Sequence, residues 1–364
     1  MREIESVSRL LLMLALVSGA AACTEPDEDA GASLFSAQAQ ALRCEPPAEP
    51  PLTVFGRIVE LALPAPPGGG FSLFPQQITV GRDNDLWFRV ASAQLGHVSR
   101  NGRQITLVPI PSSGSGIARG ADGNIWFGTA GGIGRLAPRS GAVDEFALPD
   151  IGGPQDVVAG PDGNLWALGF DHIARITTAG VVTSFPIPTP SFSSGNHLAA
   201  GPDGNVWFTT SSAALLGRVT PGGAITEFPV GPGGSLFGIA GDHDRSIWFT
   251  RQGGGPGQNS IGRMTTDGDA STVLQLPDST TTLPDPPSGM PMVITAGRDR
   301  NMYYTTYFEQ PRNYIGRVTP AGVLTKFDIP TAGAASFGIT ADRAGDIWFT
   351  ENFNNQIGRL DVRK

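Results

Sequence analysis

The chain is poor in the residue types that most often announce chemistry. Of its 364 residues two are cysteine and four are histidine, and Lys326 and Lys364 are its only lysines. The cysteines, Cys23 and Cys44, both lie near the N-terminus, so no disulfide holds the body of the chain. No Cys/His cluster has the spacing of a structural metal site, and there is no Gly-rich phosphate loop and no nucleophile elbow. A net charge of −8 without a basic cluster excludes nucleic acid and anionic membrane surfaces as partners. The longest apolar run, LLLMLALVSGAAA (10–22), is too short to cross a bilayer as a mature helix.

That run follows Arg2 and Arg9 and ends in small residues before Cys23, a pattern that reads as a signal peptide over residues 1–22. The Ala-Ala-Cys ending resembles a bacterial lipobox, which implies Cys23 as the lipidated residue, and Thr24 resembles the signal for onward transport to an outer membrane. The expectation is an exported protein, periplasmic, outer-membrane-anchored or secreted, that meets a membrane only through a lipid anchor. Without lipid on Cys23, a Cys23–Cys44 disulfide across the linker stays open. Residues 23–52, acidic and rich in Ala and Pro, read as a tether.

What the chain does have is 49 glycines and 31 prolines at recurring offsets between apolar segments. GITADRAGDIWFTENFNNQIGRL (338–360) recurs in variant form down the sequence, centred on Trp87, Trp126, Trp166, Trp207, Trp248, Tyr303 and Trp348. Their separations run from 39 to 55 residues, the period of a stacked repeat architecture. In the fourth copy LAAG (198–201), VWFTT (206–210), LLGRVT (215–220) and AITEFPV (224–230) read as strands A to D, joined at Pro202-Asp203-Gly204-Asn205 and Pro221-Gly222-Gly223 by hairpin turns. Strand B is apolar on both faces, so each sheet is sandwiched between neighbours. Seven four-stranded antiparallel sheets over residues 53–364 predict an all-β fold, a seven-bladed β-propeller. The last copy stops at strand C, and FGRIVELALP (55–64) reads as its missing strand D, closing the ring and removing sheet edges; a monomer is expected.

Alternation places the short A–B and C–D turns on a lower face and the variable B–C and D–A loops on an upper one, which makes the upper mouth the expected site. The divergent upper loops are 64–75, 188–195, 251–260, 277–291 and 306–314.

The units GPDGNVWFTT (201–210), IGRVTPAGVLTKFDIPT (315–331) and TENFNNQIGRL (350–360) resemble the repeats of the streptogramin B lyases, also called virginiamycin B lyases. The resemblance implies a seven-bladed propeller that opens a cyclic depsipeptide by elimination at an ester, with magnesium. It also implies two histidines, eleven residues before the aromatic centre of strand B in the last two blades. Such chemistry needs a positioned base and an electrophile at the ester oxygen. Counting back eleven gives Gln76, Ser115, Gln155, Asn196, Phe237, Met292 and Phe337, with no histidine among them. Met292 and Phe337 occupy the places of the lyase pair. Glu351 falls near the family's metal-side acid, in the last upper B–C loop.

The remaining histidines are weighed one by one. His97 replaces the arginine of a recurrent Gly-Arg step (Arg135, Arg218, Arg263, Arg317, Arg359) and reads as structural, as do those arginines, which are expected to bond carbonyls of a neighbouring blade. His243 falls in a lower turn. His172, with Asp171 beside it, is placed in the upper B–C loop of the third blade. His197 is one residue past the mouth position, and a one-residue offset in a regular strand turns a side chain away unless a bulge intervenes. The Asp-Gly-Asn turns at Asp122, Asp162 and Asp203 lack the acidic density of a calcium loop.

Two functions follow. One is a propeller that binds an uncharged small molecule or peptide at a mouth lined by the seven residues above, with no cofactor. The other is a carbon–oxygen lyase with magnesium, built on His197, Glu351 or His172. A lactone hydrolase is a further alternative.

Overall fold

The computed structural model describes residues 52–363 apart from 56, 65–72, 191–194, 212–213, 232–233, 254–258, 277–288 and 308–312; the side chains of 52–55, 270–273 and 275 are not described. The segment expected as a signal peptide, Cys23, Cys44, most of the expected tether and much of the divergent upper loops lie outside the described residues.

The described elements are all β. Blade 1 spans Ile78–Val80, Leu86–Arg89, Gln94–Val98 and Ile105–Pro109. Blades 2 to 6 follow over 117–147, 156–186, 198–229, 235–275 and 290–328, each a four-stranded antiparallel meander. Blade 7 takes Ser336–Ala341, Ile347–Glu351 and Gln356–Leu360 from the C-terminal end of the chain and Ile58–Ala62 from near its start, in register from Ile58 opposite Leu360 to Ala62 opposite Gln356. The first strands of the seven blades neighbour one another in cyclic order, 7 meeting 1, so the ring is closed. The expected strand over 55–64 is shorter than anticipated: the chain turns at Arg57, and Leu52–Phe55 folds back on Ile58–Ala62 as a fifth, outermost strand.

The repeated residues build the walls between blades. In the fourth blade the indole of Trp207 is fully buried and donates to Asp203 at 3.1 Å, and Asp203 also accepts the Asn205 N–H. The same bond joins Trp126 to Asp122, Trp166 to Asp162, Trp248 to Asp242 and Trp348 to Asp342, with the Tyr303 hydroxyl on Asp299. The turn carboxylates are thus spent on their own turn and on the indole. The arginine across the strand pair lies over two rings: Arg218 sits 5.6 Å from the Trp207 ring centre and 5.2 Å from that of Phe228. It then donates to Thr266 O in the next blade's C–D turn, as Arg135 does to Thr178 O and Arg175 to Pro221 O. His97 fills the same place, 4.4 Å from the Trp87 ring with Nε2 3.0 Å from Asp85. Burial alone would raise Asp85, but His97 and Trp87 hold it below the usual carboxylate range.

The glycine of the Gly-Arg step has a steric cause. A Cβ on Gly217 would stand 2.0 Å from the Phe208 ring, which lies flat over the opposite strand. Blade 3 supplies an internal control: its phenylalanine position is Ala167, and the residue paired with it is Ala174. Where the ring is gone, the glycine is gone too.

Candidate functional site

In blades 4 to 7 a threonine two residues after the strand B aromatic fixes the start of the innermost strands. Thr209 accepts the His197 N–H (2.9 Å) and donates to Phe237 O of blade 5 (2.9 Å). Thr250 joins Gly238 N to Met292 O, Thr305 donates to Phe337 O, and Thr350 joins Gly338 N to Gln76 O. From blade 5 round to blade 1, the backbone of each mouth residue is therefore pinned to the preceding blade.

The mouth residues of all seven blades converge. Gln76, Ser115, Gln155, Asn196, Phe237, Met292 and Phe337 all line one cavity of about 460 Å³ at the upper end of the ring axis. Blades 1 to 4 give it a polar wall and blades 5 to 7 an apolar one. On the polar side Gln155 Nε2 donates to Gly169 O at 3.2 Å, and Asn196 Oδ1 accepts the Ser211 N–H at 2.8 Å. On the apolar side Phe237 and Phe337 meet edge to face, 6.1 Å apart, beside Met292, with Tyr307 completing the wall.

The histidines separate sharply. His197 lines the cavity, contrary to the alternation argument, because the regular strand begins only at Leu198; the chain enters through Gly195 at φ +103°, and the strand's two-residue period does not yet apply. Its Nδ1 is 3.1 Å from Asp156 Oδ2, and its ring lies 4.8 Å from that of Phe237. His172 is the first residue of a strand C, His172–Ile176, rather than a loop residue. It is half-buried, 3.0 Å from Asp171, and it does not line the cavity.

Glu351 also departs from its expected place. It ends strand B of blade 7, fully buried and outside the cavity lining, and neither of its oxygens has a hydrogen-bond partner among the described residues. Burial first, and the nearby charge of Glu60 second, hold its carboxyl well above the usual range, so it favours the neutral acid. Glu60 is itself engaged by the N–H and hydroxyl of Thr331, the counterpart of the Glu227–Thr189 clamp three blades away. A magnesium ion wants ionised oxygen ligands presented together. Among the described residues no group of three or more His, Cys, Asp or Glu could hold a metal, and a carboxyl that burial pushes toward its protonated form does not fit that role.

Residues that sequence reasoning missed are Asp156, Tyr307, Asn352 and Gln77. Asp156 occupies in blade 3 the position that His197 occupies in blade 4, ten residues before the strand B tryptophan. That offset was available in the sequence. Tyr307 and Asn352 come from strand B ends, next to loops whose course no periodicity dictates; Asn352 is fixed by a bond to Pro75 O at 3.1 Å.

Comparison with known proteins fits this geometry. The sequence pattern of the virginiamycin B lyase family matches residues 51–193 and 151–364. A virginiamycin B lyase of Nocardia farcinica is 32% identical over 217 residues, 58% of this chain and 67% of that protein. The crystal structure of a virginiamycin B lyase from Staphylococcus aureus superposes with a TM-score of 0.70 at 28% identity, covering 84% of this chain and 99% of the other. A catalytically inactive histidine-to-alanine form of the Staphylococcus aureus enzyme with quinupristin gives 0.68 at 27%, with the same coverage. This chain belongs to the virginiamycin B lyase family.

Proposed function

We propose that this protein is a binding propeller that takes an uncharged small molecule or peptide into its upper mouth. The observation that carries the reading is the convergence of all seven start-of-strand residues on one cavity, amides on one wall and Phe237, Met292 and Phe337 on the other. Such a mouth offers hydrogen bonds and ring contacts, with no unpaired cation or exposed carboxylate among the described lining residues to favour a charged ligand. Phe337 and Met292 stand where the family resemblance places the lyase histidines, and neither can accept a proton.

A second reading, a carbon–oxygen lyase, is favoured by one observation: His197 reaches the cavity with a carboxylate behind it. Incubation of the purified body with quinupristin and magnesium separates the two. Saturable binding in calorimetry, weakened about tenfold in Phe337→Ala, with the ring intact by mass, supports the binding reading. Ring opening lost in His197→Ala supports the lyase. Binding that ignores mouth substitutions, or no binding across a panel of uncharged cyclic peptides and lactones, overturns the mouth as the site.

The N-terminal pattern supports export, with Cys23 lipidated. Palmitate incorporation lost in Cys23→Ala is the expected result, and an unlabelled wild type refutes it.

A further inference from the structure

His197 is not held as a core histidine usually is. Core histidines spend both ring nitrogens on protein partners, since a buried polar atom left unpaired is costly. Here Nδ1 alone is engaged, on Asp156, and Nε2 has no hydrogen-bond partner among the described residues. The ring lies where two chambers along the axis meet: the mouth, and a second cavity of about 320 Å³ below it, both of which His197 lines.

Asp156 is rigidly set. Its Oδ1 accepts the Val157 N–H at 2.9 Å, and its Oδ2 accepts the Leu198 N–H at 3.0 Å as well as His197. A carboxylate that already accepts backbone N–H groups presents only lone pairs, so Nδ1 must be the protonated nitrogen. In the neutral ring Nε2 then carries a lone pair. The pairing also crosses the junction between blades 3 and 4, and no fold requirement repeats it. The same position is Gln77, Gly116, Gly238, Val293 and Gly338 in the other blades.

The wall beside this acceptor is aromatic. Phe237 lies against the imidazole and Phe337 against Phe237, an unbroken run from Nε2 to the apolar side of the mouth. We infer that His197 is the polar anchor of the mouth and selects an uncharged ligand that carries an aromatic ring next to an N–H or O–H donor. The donor bonds Nε2 while the ring packs on Phe237 and Phe337. Asp156 is the positioning residue that keeps Nε2 an acceptor. This inference rests on the mouth being the binding site.

The matched pair indole and benzofuran tests it, because they share a shape and differ by one ring N–H. Both are titrated into the full-length protein carrying ¹³C-methyl methionine, with the Met292 methyl as reporter. Indole is expected to bind about five- to tenfold more tightly than benzofuran, the worth of one hydrogen bond. His197→Leu is expected to erase that preference and His197→Gln, whose amide oxygen restores an acceptor, to recover part of it, while Asp156→Ala, which releases Nδ1–H from its carboxylate, is expected to shrink it. A role confined to packing would not be rescued by an amide. Should any variant fail to fold, long-range ¹H–¹⁵N spectra of the wild-type imidazole decide: a protonated Nδ1 and a bare Nε2 are expected, and a proton on Nε2 overturns the assignment. Equal binding of the two fragments overturns the anchor and leaves the mouth as a site. A Met292 signal unmoved by either fragment overturns both.

Discussion

The walls between blades and the mouth at their centre are built from the same blades, from residues eleven apart, yet they obey opposite rules. In the walls one solution repeats: an indole bonded to a turn aspartate, a guanidinium across the ring, a glycine under a flat phenylalanine. At the mouth no two neighbouring blades present the same side chain, although the threonines of blades 4 to 7 hold the backbone of blades 5 to 1 there in nearly the same way. Repetition marks what the fold needs. Divergence on an equally fixed backbone marks what the fold leaves free, and that is where a ligand site can be tuned.

The sharpest way to break this contrast is to damage a wall. Trp207→Ala removes a fully buried indole and is expected to cost about 3–5 kcal/mol in denaturant unfolding. A loss under 1 kcal/mol would mean that the stack is ornamental. Gly217→Ala should cost about 1–3 kcal/mol through overpacking against Phe208. In the double variant Phe208→Ala/Gly217→Ala, which copies blade 3, the glycine change should become nearly free; simple additivity would refute the steric explanation.

Glu351 tests an exception inside a wall. Its folded-state pKa lies above the unfolded value of about 4.5, so the folded chain keeps a proton that the unfolded chain has released. Its contribution is present at low pH and is lost as pH rises from the unfolded value through the folded one, with a slope of up to about 1.4 kcal/mol per unit. Unfolding free energies of Glu351→Gln measured from pH 5 to 9 should lack that decline. An unchanged slope would show that Glu351 is not the group responsible. The smallest effect on stability belongs to the mouth itself: Gln155→Ala is expected to shift unfolding by under about 1 kcal/mol while altering ligand affinity, and a large loss of stability would place Gln155 with the walls.

The walls were legible because their causes are local. Asp-Gly turns, apolar strands and the aromatic period all lie within ten residues of one another, and even the closing strand was visible as a homologue of its fellows. The fifth strand was not, because Leu52–Phe55 pairs through a turn at Arg57 that lacks the Asp-Gly and Pro-Gly pairs of the repeat. The positions of the mouth residues were legible from counting, but the orientation of His197 was not: alternation holds inside a strand, and His197 precedes one. Glu351 was read as a loop residue for the converse reason, since strand B runs further in blade 7 than its shortest counterparts do, and carries the acid inward. Arg89 was invisible as an exception. It sits where blades 4 to 7 have the stapling threonine, fully buried, reaching Gly128 O at 3.0 Å, with burial lowering its pKa to about 10.

The contrast between walls and mouth has a direct reporter in the methionines. Met292 lines the mouth, whereas Met264 and Met302 are buried in the walls. In ¹³C-methyl spectra of the labelled protein, quinupristin is predicted to shift Met292 and leave Met264 and Met302 in place. A shift at Met264 or Met302 with Met292 unmoved would contradict the assignment of the mouth as the binding site.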